Sequence, residues 1–93
     1  MNKMSNIEEE SRIELALGML KRDVFNALFR KKGIPEKYWD GLYMEIPDDD
    51  QTWVKIVGII NEKAKNNKDK FSIIGELAYM FKNVWGDKNN ELQ

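Results

Sequence analysis

Acidic side chains are the residues whose spacing most invites a chemical role, because three aspartates run from Asp48 to Asp50. A calcium-binding loop needs oxygen ligands at alternating positions, a glycine at its sixth position and a glutamate at its twelfth. Counted from Asp48, those two positions hold Trp53 and Ile59. The run therefore predicts the N-cap and acidic first turn of a helix rather than a metal site. The run from Glu8 to Glu10 is interpreted in the same way.

Hydroxyl side chains have neither a cysteine beside them as an alternative nucleophile nor a histidine as a base, because the sequence contains neither residue. Thiolate chemistry, disulfides and zinc-thiolate sites are thereby excluded, and the commonest general base is missing. No serine is followed by lysine at the third position after it, and the six glycines form no phosphate-binding loop. We therefore expect a protein that is not an enzyme and uses no cofactor or metal.

A cluster of basic residues lies near the end of the first predicted helix and is the one candidate for contact with nucleic acid. The 15 basic and 16 acidic residues give a formal net charge of -1, so the chain as a whole does not favour polyanions. An alternative function is a helix-turn-helix-like DNA-binding transcriptional regulator that uses this cluster. Its members are Lys21, Arg22, Arg30, Lys31 and Lys32.

Aromatic residues and methionines are numerous for so small a core, with three tryptophans, three tyrosines, four phenylalanines and five methionines. Tyrosine, tryptophan and methionine are enriched at the centres of protein interfaces. Tyr38, Trp39, Tyr43 and Met44 lie on a segment that is too short to bury all four side chains. Alternatively, this segment caps the bundle, with its rings over the helix ends. The interface candidates are Tyr38, Trp39, Tyr43, Met44, Phe25 and Phe29.

Helical periodicity accounts for every apolar segment, as in the first helix, where apolar residues recur every three or four positions from Ile13 to Leu28. More than a third of the circumference of this helix is apolar, which is typical of a central helix or of one between subunits. The pattern predicts an all-α, compact small bundle of three main helices, at about 6–32, 49–65 and 70–85, plus a short helix near 35–43.

Capping residues mark where these helices begin and end. Ser5 with Glu8, and Asp48 with Gln51, have the spacing of a capping box. Gly33 follows three basic residues and comes two residues before Pro35, so it suits the left-handed position that ends a helix. Gly86 predicts the end of the last helix. Residues 87–93 have too few apolar side chains to pack firmly on the bundle, so we expect them to form a mobile tail. The single domain is therefore expected to cover residues 1–86.

Length and composition set the remaining expectations. The acidic N-terminal segment does not resemble a signal peptide, and no apolar run is long enough to span a membrane, so we expect a cytoplasmic protein. The leading hypothesis is a non-enzymatic regulator or inhibitor that binds another protein, with a homodimer as the simplest interface. Compactness and a composition rich in lysine and asparagine suggest a phage or mobile element as the source, with a host enzyme or defence complex as the target.

Overall fold

The fold was taken from a computed structural model, which describes residues 3–86. These residues form four α-helices and no strand, which confirms the small all-α bundle. The predicted mobile tail, 87–93, lies outside the described residues. The elements are α1 (Lys3–Lys31), a 3₁₀ turn (Glu36–Tyr38), α2 (Trp39–Met44), α3 (Gln51–Lys63) and α4 (Asn67–Met80), which continues as a π-helical turn (Phe81–Gly86).

The long helix α1 begins earlier than its capping pattern predicts and ends where its glycine predicts. Because Ser5 already lies within the helix, the predicted N-cap at this residue is wrong. Gly33 has a φ of 79°. Its N–H donates to the carbonyl of Arg30 and the N–H of Ile34 donates to the carbonyl of Phe29, both at 3.0 Å. These two bonds form a Schellman motif, which confirms the predicted stop at Gly33.

Helix α3 is capped by the last of the three aspartates and not by the first. The Asp50 carboxylate accepts hydrogen bonds from the backbone N–H groups of Thr52 at 2.9 Å and Trp53 at 3.2 Å. The prediction of Asp48 as the cap is therefore wrong by two residues. Asp48 remains exposed and lies before the helix. Any of the three carboxylates could cap a helix, so only the backbone path selects one.

Helix α4 begins within residues 66–69, which lie between the last two predicted helices. The Asn66 side chain accepts from the Asp69 N–H at 2.9 Å, and the Asp69 carboxylate accepts from the Lys65 N–H at 3.1 Å. These two hydrogen bonds stabilise a helix start at Asn67, three residues before the predicted start. The predicted helix to residue 85 divides into α4 and the π-helical turn.

Two contacts fix the direction of α4 relative to α1. The Asn67 amide donates to the Glu9 carboxylate at 3.1 Å, near the start of both helices. At the other end, Phe81 lines one pocket with Ala27 and Arg30, near the end of α1. Helix α4 therefore runs parallel to α1, and α3 packs on α4. The buried core side chains are Ile13, Leu20, Val24, Phe25, Ala27, Trp39, Ile60 and Ile74.

Candidate protein-binding site

Trp39 attaches the short helix α2 to the end of α1. Its indole N–H donates to the carbonyl of Ile34 at 2.8 Å, and only 7% of the residue is exposed. The ring lies 6.4 Å from that of Phe29, centroid to centroid, and the Arg30 guanidinium lies 5.1 Å from the ring centroid. An apolar ring with a paired N–H is well suited to burial, so this residue is an anchor.

Tyr43 makes the second attachment of α2, one turn further along. Its ring meets that of Phe25 edge-on, with centroids 6.4 Å apart. The Arg22 guanidinium lies 4.2 Å from the Tyr43 centroid and donates to the Asp40 carboxylate at 2.7 Å. Arg22 therefore holds both a ring and a carboxylate of α2, and it orients α2 on α1.

The residues of the predicted interface differ in burial. Phe25 is 5% exposed and Trp39 is 7% exposed, so neither side chain is available to a partner in this fold. Phe29 and Tyr43 are half-buried and pack against the core. These four side chains hold α2 in place because their rings contact one another and α1. Of the predicted interface set, only two residues lie on the surface, Tyr38 at 53% and Met44 at 80% exposed.

The outer face of α2 and its preceding turn is formed by Tyr38, Gly41 and Met44. Each of these residues is three positions from the next, so Gly41 is a surface neighbour of both Tyr38 and Met44. Gly41 is exposed, and a Cβ built at this residue would meet no atom within 4 Å. An aromatic ring and a thioether thus flank a stretch of bare backbone. Such a surface can be approached closely by another chain.

The residues of the predicted nucleic-acid cluster differ in their surroundings. Lys21 lies 3.7 Å from the Asp48 carboxylate and its ammonium is 5.7 Å from the Tyr43 centroid. Arg22 pairs with Asp40, and Arg30 lies over the Trp39 ring. Lys31 and Lys32 are exposed. At least three of the five cations are therefore directed at carboxylates or rings of the protein itself, and Lys31 also has an interaction partner.

A second apolar surface lies on α1, and it was not among the predicted sites. Leu15 is 67% exposed and Met19 is 63% exposed. They line a groove of about 420 Å³ together with Gly18 and four charged residues, Glu14, Arg22, Asp23 and Lys82. Helix α2 covers the aromatic residues further along α1 and leaves this part of the helix open. The sequence shows that Leu15 and Met19 widen the apolar stripe, but it does not show which part of the stripe α2 covers.

The described residues contain no group of three or more histidine, cysteine, aspartate or glutamate side chains that could hold a metal ion. Among the helices within residues 3–86, none has the length and apolar character needed to cross a membrane. Comparison with protein-family models, with curated proteins and with solved structures finds no match to this chain.

Proposed function

We propose that this protein is a non-enzymatic regulator or inhibitor that binds another protein through the outer face of α2. The observation that carries the proposal is the exposure of Tyr38 and Met44 at the two ends of a short helical segment that Trp39 and Tyr43 attach to α1. Tyrosine and methionine are enriched in interface cores, and tyrosine is among the commonest residues of binding hot spots. The outer face presents both around the exposed backbone of Gly41.

Rigidity supports this assignment as much as composition does. The outer face is carried by a segment held through the Trp39 hydrogen bond to the Ile34 carbonyl at 2.8 Å and the Arg22–Asp40 ion pair at 2.7 Å. A partner that binds a preorganised surface loses less conformational entropy than one that must order a loop. The same helix can therefore present its outer residues at a fixed spacing without any change in the core.

The class of target is proposed from the chain as a whole. A small helical protein that works by contact occupies a surface of another macromolecule, and an inhibitor of a host enzyme or defence complex in the cytoplasm fits this mode of action. An origin in a phage or mobile element rests on size and on the lysine- and asparagine-rich composition. Neither property identifies a particular target.

The decisive experiment places a photoreactive phenylalanine analogue at Tyr38 in the full chain and irradiates the cells that produce it. The control carries the same analogue at Tyr79, which is 69% exposed on α4 and distant from α2 in sequence. We expect a crosslinked adduct with one discrete protein from position 38 and none from position 79. Equal adducts from both positions, or none from position 38, would overturn the proposal.

Substitution then tests the energetic contribution of the same face. Tyr38→Ala with Met44→Ala should weaken binding of the identified protein by about 100-fold, since hot-spot truncations cost about 2 kcal/mol or more. Tyr79→Ala should leave the affinity unchanged.

The alternative, DNA binding, is addressed by titrating duplex DNA at increasing salt concentration, because phosphate contacts produce a steep salt dependence of affinity. Duplex binding lost on replacing Lys31 and Lys32 would favour that alternative.

A further inference from the structure

We infer that Met44 is a redox-sensitive modification site, at which a hydroperoxide converts the thioether to a sulfoxide and so weakens binding by the outer face of α2. The preference for Met44 as the oxidised residue is a property of the chain alone, and the effect on binding rests on the proposed function. Met44 is 80% exposed, whereas Met19 and Met80 are 63% and 39% exposed. Met44 is thus the most accessible of these three methionines.

The oxidation of a methionine by a hydroperoxide needs no catalytic group of the protein. The sulfur attacks one oxygen of hydrogen peroxide and the O–O bond breaks. The sulfur is oxidised to a sulfoxide, and the peroxide is reduced to one molecule of water. Methionine sulfoxide reductases return the sulfoxide to methionine, so the change at Met44 is reversible.

The surroundings of Met44 leave its side chain open to an oxidant. Gly41, about one turn earlier on α2, has no side chain to shield it, and a Cβ at Gly41 would meet no atom within 4 Å. Met19 lies instead in a groove that the longer side chain of Lys82 also lines. Met80, on α4, is the least exposed of the three methionines. We therefore expect the rate of oxidation to decrease from Met44 to Met19 to Met80.

Other oxidisable side chains compete little with Met44 for the oxidant. The chain contains no cysteine, so no thiol of its own reacts with the peroxide first. On the same helix Trp39 is 7% exposed and Tyr43 is half-buried. Among the aromatic and sulfur-containing residues of α2, Met44 is therefore the one that an oxidant reaches most easily.

Oxidation at Met44 changes the outer face of α2 and leaves the core intact. A sulfoxide is polar, and it replaces an apolar thioether beside Gly41 on the proposed binding surface. Burying this polar group without a hydrogen-bond partner is unfavourable, so binding should weaken by about ten-fold. Because Met44 is 80% exposed, it contributes little to the core, and the oxidised chain should remain folded.

Peptide mapping of the full chain tests the preference for Met44 without a partner. After brief treatment with dilute hydrogen peroxide, trypsin releases the three methionines on separate peptides, 13–21, 38–55 and 71–82. We expect Met44 to be oxidised first, and about twice as fast as Met80, in proportion to their exposures of 80% and 39%. Oxidation of Met19 or Met80 ahead of Met44 would overturn the inference. Loss of the helical circular-dichroism signal when Met44 alone is oxidised would do the same.

Binding by the oxidised chain tests the consequence, and its probe is the protein identified by crosslinking from position 38. Treatment with peroxide should weaken binding about ten-fold, and a methionine sulfoxide reductase with dithiothreitol should restore it. Met44→Leu keeps an apolar side chain of similar volume and should bind equally well before and after treatment. Met19→Leu is the matched control and should lose affinity on treatment as the wild type does. If oxidised Met44→Leu loses as much affinity as the oxidised wild type, the inference is wrong.

A polar substitution tests the same mechanism without an oxidant. Met44→Gln places an amide where the sulfoxide would lie and should weaken binding about ten-fold. Val54→Gln, at a residue 50% exposed on α3, should leave the affinity unchanged. Circular dichroism should give the same helical signal for both variants. Wild-type affinity in Met44→Gln would contradict the proposed effect of a polar group on this face.

Failure of this inference and failure of the proposed function give different results. If position 38 gives no crosslinked adduct, the proposed function is overturned together with the effect on binding, and the peptide map still decides whether Met44 is the preferred oxidation site. If the adduct forms and oxidation of Met44 leaves the affinity unchanged, the proposed function stands and this inference is overturned. A bound partner should also slow the oxidation of Met44 while leaving that of Met80 unchanged.

Discussion

Replacing Trp39 should measure how strongly α2 is held on the bundle, and it separates an anchor from a binding residue. The side chain is 7% exposed, its N–H donates to the Ile34 carbonyl at 2.8 Å, and Arg30 lies 5.1 Å from its ring centroid. Truncation to alanine removes all three contributions at once. Truncation to phenylalanine keeps a ring and removes the hydrogen bond.

The expected magnitudes follow from these contacts. Truncating a buried tryptophan to alanine costs about 3 to 5 kcal/mol of unfolding free energy. In Trp39→Phe, the Ile34 carbonyl loses its partner, which costs about 1 to 3 kcal/mol. A domain of this length is stable by about 5 to 14 kcal/mol in total, so the phenylalanine variant should remain folded.

Urea unfolding followed by circular dichroism is the appropriate assay, because Trp53 and Trp85 would complicate a fluorescence signal. For Trp39→Phe we expect the midpoint to fall by roughly 1 M, given the usual dependence of unfolding free energy on urea. Tyr38→Ala, at the neighbouring exposed residue, should shift the unfolding free energy by no more than about 0.5 kcal/mol. If Trp39→Ala and Tyr38→Ala had equal effects, the argument for Trp39 as an anchor would fail.

Three further predictions concern stability and can be checked by the same unfolding assay. Gly33→Ala should cost about 1 to 2 kcal/mol, because φ of 79° is strained for a residue with a Cβ although space is open around it. Asp50→Ala should cost about 1 kcal/mol through two lost cap hydrogen bonds, whereas Asp48→Ala should have almost no effect. Asn26→Leu should stabilise the protein by about 1 kcal/mol, because the Asn26 side-chain oxygen is buried without a hydrogen-bond partner in the described structure. A destabilised Asn26→Leu would show that this oxygen is satisfied in solution.

The all-α class of the fold and the end of α1 at Gly33 could be predicted from short stretches of sequence. Apolar spacing of three and four predicted helices throughout, and the Gly33 stop was confirmed by its φ and two hydrogen bonds. Starts were harder to predict. Asp48 and Asp50 are both good caps, and the choice between them depends on where the preceding chain leaves the surface of α1.

Which aromatic rings are core and which are surface was decided by the tertiary structure. Trp39 and Tyr38 are adjacent in sequence and equally suited to an interface, yet one is 7% exposed and the other 53%. The difference arises because α2 has only one side facing Phe25 and Phe29, and its rotation on α1 determines which ring is buried. Sequence alone does not specify that rotation.

The sequence by itself determined that this chain forms helices, and that it lacks the histidine and cysteine on which much catalysis depends. Helix formation can be predicted from the spacing of apolar residues a few positions apart, and the absence of two residue types can be read directly from the sequence. Only the tertiary structure decided that the Leu15–Met19 stretch of α1 remains uncovered while the Phe25–Phe29 stretch is covered. Both stretches have a spacing of four residues, but they lie about a quarter turn apart around α1, and where α2 docks decides which of them is covered.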